Sequence, residues 1–136
     1  MIDYIKSGNS LISIIIYKKY KYSGIKFFTK KNTVQQLGYM QRPKNYIVEP
    51  HKHKKIRRVI YSTTEILFIK KGKIQIEFFN NKNFLVKKKI LKTGDIIMLL
   101  EGGHSIKFIE KSEIIEIKQG PYLDRNDKVL INRYGK

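Results

Sequence analysis

No cysteine occurs among the 136 residues, so disulfides, thiolate metal sites and a thiol nucleophile are excluded, and any metal must take nitrogen and oxygen ligands. Long hydrophobic runs are missing too. Leu11–Tyr17, the longest near the N-terminus, is too short to span a bilayer and is followed by Lys18, Lys19 and Lys21 rather than preceded by charge. Nothing reads as a signal peptide or a membrane anchor, so the expected location is cytoplasmic, with no membrane partner. Nowhere is there an amphipathic pattern sustained over three helical turns, and no repeat, linker or low-complexity stretch divides the chain. One domain over residues 1–136 is expected. Residues 1–32 then hold N-terminal strands available for a dimer contact, and residues 120–136 form a C-terminal tail. A chain of this length can bury a core without covalent or metal staples.

Acidic residues are also scarce, 11 against 29 lysines and arginines, for a formal charge of +18. Such a balance raises nucleic-acid binding through counterion release. The sequence argues against it. Lysines are spread along nearly the whole chain, arginine is rare, and no helix-turn-helix, zinc-finger or RNA-stacking signature occurs. Lysine-rich strand edges oppose aggregation, and Lys87-Lys88-Lys89 reads as a solvated edge or turn. No nucleic-acid partner is expected, while an anionic small molecule would be attracted.

What the chain has in abundance is short apolar or alternating segments. Leu11–Tyr17 is apolar on both faces, so it is either buried on both sides or paired with a second copy. Ile25–Thr29 and Thr33–Arg42 read as strands, the latter ending at Pro43. Glu49-Pro50-His51-Lys52-His53 is extended, and Lys54–Ser62 is a basic connection. Glu65–Ile69 is a strong strand, and Lys71-Gly72-Lys73 resembles a hairpin turn in which glycine takes a positive φ. Lys73–Phe79 alternates, with Ile74, Ile76 and Phe78 on one face. Asn80–Asn83 is a turn. Phe84–Leu91 and Ile96–Leu100 follow, joined by Thr93-Gly94-Asp95, where Asp95 bonds nearby amides. Ile106–Ile109 and Ile114–Lys118 read as a hairpin about Lys111-Ser112. Many short strands separated by glycine and asparagine turns indicate an all-β sandwich or barrel.

The chemistry-bearing residues are few. His51 and His53, two apart on an extended segment, face the same side, and His104 follows Gly102-Gly103 at the end of another strand. These three are the only histidines, and with Glu65 they form a set suited to a divalent transition metal. The plainer alternative is that His51 and His53 are exposed polar residues in a basic loop while Glu65 pairs with a lysine. Arg57 and Arg58 either grip a phosphate or carboxylate or remain solvent-facing loop charges. Gln36 and Tyr39 either line a pocket by strand alternation or, for Tyr39, belong to the core.

The order His51-x-His53, Glu65, Gly72, Gly94, Gly102-Gly103-His104 resembles the two motifs of the cupin superfamily. A narrower similarity, to small single-domain cupins encoded among surface-sugar genes, runs through Gln36–Met40, Arg58, Thr63-x-Glu65, Gly94-Asp95, Glu116–Tyr122 and Asp127-Lys128. The resemblance implies a double-stranded β-helix, or jelly roll, with His51, His53, Glu65 and His104 binding iron, manganese, nickel or zinc. It also implies a homodimer. The interval from His53 to Glu65 exceeds the family's, which places an extended loop carrying Arg57 and Arg58 over the barrel mouth. Leu100 stands where the family has proline, His104 comes one place early, and the asparagine that usually follows is absent.

The implied function is binding of a small polyhydroxylated or anionic ligand, extending to isomerisation of a sugar or nucleotide sugar in surface-polysaccharide metabolism. In that reading Arg58 and Arg57, with Gln36 and Tyr39, would contact the substrate. The alternatives are an iron-dependent oxygenase and a non-catalytic sugar- or metal-binding sensor module. No general base stands out.

Overall fold

A computed structural model of the protein describes residues 1–132. The chain gathers into two compact units, one made of Met1–Tyr20 with the chain from Thr63 onward, the other of Lys21–Ser62. Both are built from antiparallel strands, and no α-helix occurs among the described residues. None has a helix long and apolar enough to cross a membrane.

The first unit holds β1 (Ile2–Ser7), β2 (Ser10–Ile16), β5 (Glu65–Lys71), β6 (Lys73–Phe79), β7 (Leu85–Lys92), β8 (Ile96–Leu99), β9 (Gly103–Phe108) and β10 (Glu113–Lys118). They form a five-stranded sheet ordered β1-β2-β8-β5-β10 and a three-stranded sheet ordered β7-β6-β9. The second unit contains the hairpin of β3 (Gly24–Phe27) and β4 (Gly38–Gln41).

One apolar cluster draws on both sheets of the first unit. Ile12, Ile15, Leu67, Ile69 and Ile97 come from the five-stranded sheet, and Ile74, Ile76, Phe78 and Leu91 from the three-stranded one. The period of two set by the pleat explains the selection, since Leu67 and Ile69 share a face of β5, and Ile74, Ile76 and Phe78 share a face of β6. Each such side chain, removed from water, stabilises the fold by roughly 1.5–3 kcal/mol. The arrangement is compatible with a β-sandwich.

Ile12 to Ile16 are buried on both faces of β2, so this doubly apolar strand is covered within the chain. Its buried Ser13 hydroxyl donates to the Met98 carbonyl at 2.9 Å, which removes the cost of an unpaired polar group. At the sheet edges Asp3 joins β1 to β7. It accepts from the Tyr17 hydroxyl at 2.9 Å and pairs with Lys89. Lys89 holds the Asp3 carboxyl below its ordinary range, outweighing the opposing effect of burial.

Several connections differ from the sequence expectation. Lys71-Gly72-Lys73 is not a hairpin turn. Gly72 does take a positive φ of 92°, but β5 and β6 belong to different sheets, and the chain crosses between layers there. The same holds for the expected hairpin about Lys111-Ser112, because β9 pairs with β6 whereas β10 pairs with β5. The two crossings pack on each other: a Cβ on Gly72 would stand 2.6 Å from the Lys111 carbonyl oxygen. Of the expected strand Thr33–Arg42 only Gly38–Gln41 forms, because the Gln36 side chain closes a loop before it. Strand β1 was not expected at all, although Gly8-Asn9 behind it is a turn pair. Other readings hold: Asn80 Oδ1 accepts from the Lys82 and Phe84 amides at 3.0 Å each, and buried Asp95 accepts from Lys18 and Lys92 at 2.9 and 2.8 Å.

Candidate functional site

Strand alternation in the first unit carries the polar site. Glu65 begins β5 on the face that farther along bears Leu67 and Ile69, and Lys118 lies opposite it in the β10–β5 register. On the other sheet His104 lies opposite Phe78 in the β9–β6 register, and Ile106, two residues on, packs against the apolar cluster. Both sheets therefore end their inward-facing rows in polar groups. The Nε2 of His104 stands 3.3 Å from Glu65 Oε2.

The two glycines before His104 make that approach available. Gly102 has a φ of 70°, and a Cβ there would stand 2.1 Å from the Phe79 carbonyl oxygen. A Cβ on Gly103 would meet the Ile131 side chain at 2.1 Å. A larger residue at 102 would push the start of β9 off the end of β6, and one at 103 would have to move the end of the Ile131 side chain.

Around the pair lies a cavity of about 580 Å³, within the range of small-molecule sites. Thr63, Glu65, Phe79, His104 and Ser105 line one part, and residues 127–131 line another. Residues 127–131 of the C-terminal tail thus form part of the cavity wall. The tail's 3₁₀ turn, Asp124–Asp127, places Asp127 Oδ2 3.8 Å from Lys118 Nζ. Lys118 in turn stands 3.7 Å from Glu65 Oε1. Next to Glu65, the buried Thr64 amide donates to Gln119 Oε1 at 2.8 Å, and Gln119 Nε2 donates back to Thr64 Oγ1 at 2.7 Å. This reciprocal pair fixes the end of β5 against the end of β10.

The electrostatics follow from these contacts. The bond to His104 holds the Glu65 carboxyl below its ordinary value against the opposing effect of partial burial, and the charges of Lys118 and Lys128 act in the same direction. Burial disfavours the Lys118 ammonium, yet the carboxylates of Glu65, Asp127 and Glu116 together raise its pKa. Glu65 is therefore a fixed anion at neutral pH, clamped between an imidazole and an ammonium.

Of the residues singled out from sequence, Glu65 and His104 are brought together. His51 and His53 lie in the Lys21–Ser62 unit, both exposed, with ring centroids 5.4 Å apart and His51 Nδ1 2.8 Å from the Glu49 carbonyl oxygen. Arg57 and Arg58 are exposed in the same unit. Gln36 is committed to its own loop: Nε2 donates to the Lys30 and Thr33 carbonyls at 3.0 and 2.7 Å, and Oε1 accepts from Thr29 at 2.7 Å. Half-buried Tyr39 has its hydroxyl 3.5 Å from Gln41 Oε1. Among the described residues no group of three or more histidine, aspartate or glutamate side chains stands at metal-holding distance. Glu65 and His104 make two of the four ligands that the cupin resemblance implies.

Lys118, Asp127 and Lys128 were not singled out for the site. The strand itself was readable in the sequence, but alternation would have turned Ile115 and Ile117 inward, and that Lys118 lies opposite Glu65 depends on the β10–β5 register. Compared with protein-family models, curated proteins and solved structures, the chain matches none.

Proposed function

We propose that the two-sheet unit is a cupin-like jelly roll whose cavity binds a small polyhydroxylated ligand, and that His104, oriented by Glu65, moves a proton on it. The reaction class is isomerisation of a sugar or sugar derivative. The observation that carries this reading is the 3.3 Å contact between Glu65 and His104 on the wall of the cavity. A carboxylate that accepts from Nε2–H leaves Nδ1 as the basic nitrogen of a neutral imidazole, which is the arrangement for a general base. Glu65, held anionic, stabilises the imidazolium that forms when the proton is taken. The same ring can return the proton to the neighbouring carbon.

The cavity lining favours a polyhydroxylated ligand over a strongly anionic one. Glu65, Glu101 and Asp127 line it beside Lys128, so acids outnumber lysines there. The carboxylates suit the hydroxyl donors of a sugar.

A divalent iron, manganese, nickel or zinc ion would add Lewis acidity to such a site. The described residues supply two ligands in one place, so none of the steps above runs through a metal. Elemental analysis decides this part. One equivalent of metal in the purified chain, lost in both His51→Ala and His104→Ala, would support the four-ligand set.

The test of the main reading is His104→Ala against a panel of hexoses and nucleotide sugars, with ligand-induced rise in melting temperature and product formation as readouts. Turnover should fall by roughly 10²–10⁴-fold, while a ligand that still raises the melting temperature shows that the cavity is intact. Unchanged turnover in His104→Ala removes this residue from the reaction.

A further inference from the structure

Charge and apolar exposure are concentrated in one part of the molecule. The Lys21–Ser62 unit holds 11 lysines and arginines against a single acid, Glu49, so fewer than a third of the residues carry more than half of the net charge. Every residue from 40 to 63 is exposed, and after Gln41 none of that run is strand or helix. Within it the pattern is ordered. Tyr46, Ile47 and Val48 precede the basic stretch that includes Lys52, Lys54, Lys55, Arg57 and Arg58, and Val59, Ile60 and Tyr61 follow it. Ile47 is 72% exposed, Ile56 61%, Val59 59% and Tyr61 98%.

We propose that residues 40–63 dock on the surface of an anionic lipid bilayer. The cations would meet the phosphate and carboxylate headgroups, and the two flanking apolar groups would enter the boundary with the acyl chains. Stable attachment to a bilayer needs two signals, and this segment has both a polybasic run and apolar anchors. A second copy of the chain is disfavoured as the occupant, because the same segment would face its own positive charge. A single-stranded nucleic acid would use the cations and would stack on Tyr46 or Tyr61, yet it would leave Ile47, Val48, Ile56, Val59 and Ile60 in water. The expectation of no membrane partner rested on the lack of a spanning or leader segment, and surface attachment requires neither. The proposal is independent of the chemistry assigned to the Glu65–His104 cavity.

The experiment is co-sedimentation of the full chain with vesicles of phosphatidylcholine alone and of phosphatidylcholine mixed with phosphatidylserine. The chain should pellet with the mixed vesicles only, and binding should weaken with salt without vanishing, because the apolar part is not screened. K54Q/K55Q/R57Q/R58Q should weaken partitioning by at least about a hundredfold, since each cation at an anionic surface is worth about a fivefold change. V48S/I56S/V59S should weaken it by at least about tenfold. Circular dichroism of both variants should match the parent chain, since every substituted side chain is exposed. Failure to bind the mixed vesicles overturns the proposal. So does full retention of binding in the serine variant, preference for a single-stranded oligonucleotide over the vesicles, or sedimentation showing that the apolar groups join two chains.

Discussion

The two-sheet unit and the Lys21–Ser62 unit use similar residue types in opposite ways. In the first, isoleucine, leucine and phenylalanine alternate with polar residues, and the apolar row disappears into one cluster shared by both sheets. In the second, the β3–β4 hairpin and buried Phe28 and Leu37 are followed by a long exposed run in which isoleucine and valine stand beside lysine and arginine. The difference is one of pairing. A strand with neighbours on both edges has its backbone satisfied and its register set, so its apolar face is committed. A segment without pairing leaves side-chain placement undetermined and its apolar groups available.

The largest expected contrast comes from truncation. Phe78→Ala removes a fully buried ring from the shared cluster and should cost about 3–5 kcal/mol by denaturant titration, whereas Tyr61→Ala should stay within about 0.5 kcal/mol. Equal effects would dissolve the distinction between the units. Next comes Gly102→Ala, which places a side chain against the Phe79 carbonyl in a left-handed backbone and should cost roughly 2–4 kcal/mol. Gly8, also at positive φ but with open space around its Cβ position, isolates the backbone part of that effect, and its alanine variant should lose less.

Glu65→Gln should have a smaller effect, about 1–2 kcal/mol at neutral pH, through the lost charge-assisted contacts to His104 and Lys118. Its pH dependence is more telling. The folded-state pKa of Glu65 is depressed from about 4.5, so its contribution is fully present above that value and is lost as pH falls through the lower folded value. The glutamine variant should therefore lie below the parent chain at pH 7 and converge with it in acid. Parallel stability curves down to pH 2 would deny Glu65 that depression. Smallest of all, Lys70→Gln removes the exposed pair with Glu113 at 3.1 Å and should shift stability by no more than about 0.5 kcal/mol.

How much of this could be read in advance depended on range. The β6 strand, the Asn80 turn and the bond from the Lys92 amide to Asp95 were legible because each rests on neighbours within a few residues, whereas the bond from Lys18 to Asp95 was not. The apolar character of β2 on both faces indicated double cover, and the chain itself supplies that cover. The sheet crossings at Gly72 and Lys111-Ser112 were not legible, because a glycine with positive φ serves a hairpin and a crossing equally well. At the candidate site Glu65 and His104 stood out by residue type and by the glycines before His104. Lys118 and Asp127 fell within the wider cupin similarity but carried no role there, since a lysine at a strand end and an aspartate in a tail are ordinary surface residues until register and tail path bring them to Glu65.

The amino-acid sequence by itself determined the all-β class, the absence of thiol chemistry, the alternation that selects the core and the few side chains able to do chemistry. Those follow from composition and from the two-residue period of the strand, both local properties. Tertiary structure alone decided which strands pair, that Glu65 meets His104 from the other sheet, and that Lys118 and Asp127 complete the charge cluster. It also decided that the apolar side chains beside the basic run of Lys21–Ser62 stay exposed. The reason is physical: hydrogen-bonded register and the meeting of two sheets depend on residues far apart in the chain, and no local preference encodes which of many compatible strands will lie alongside.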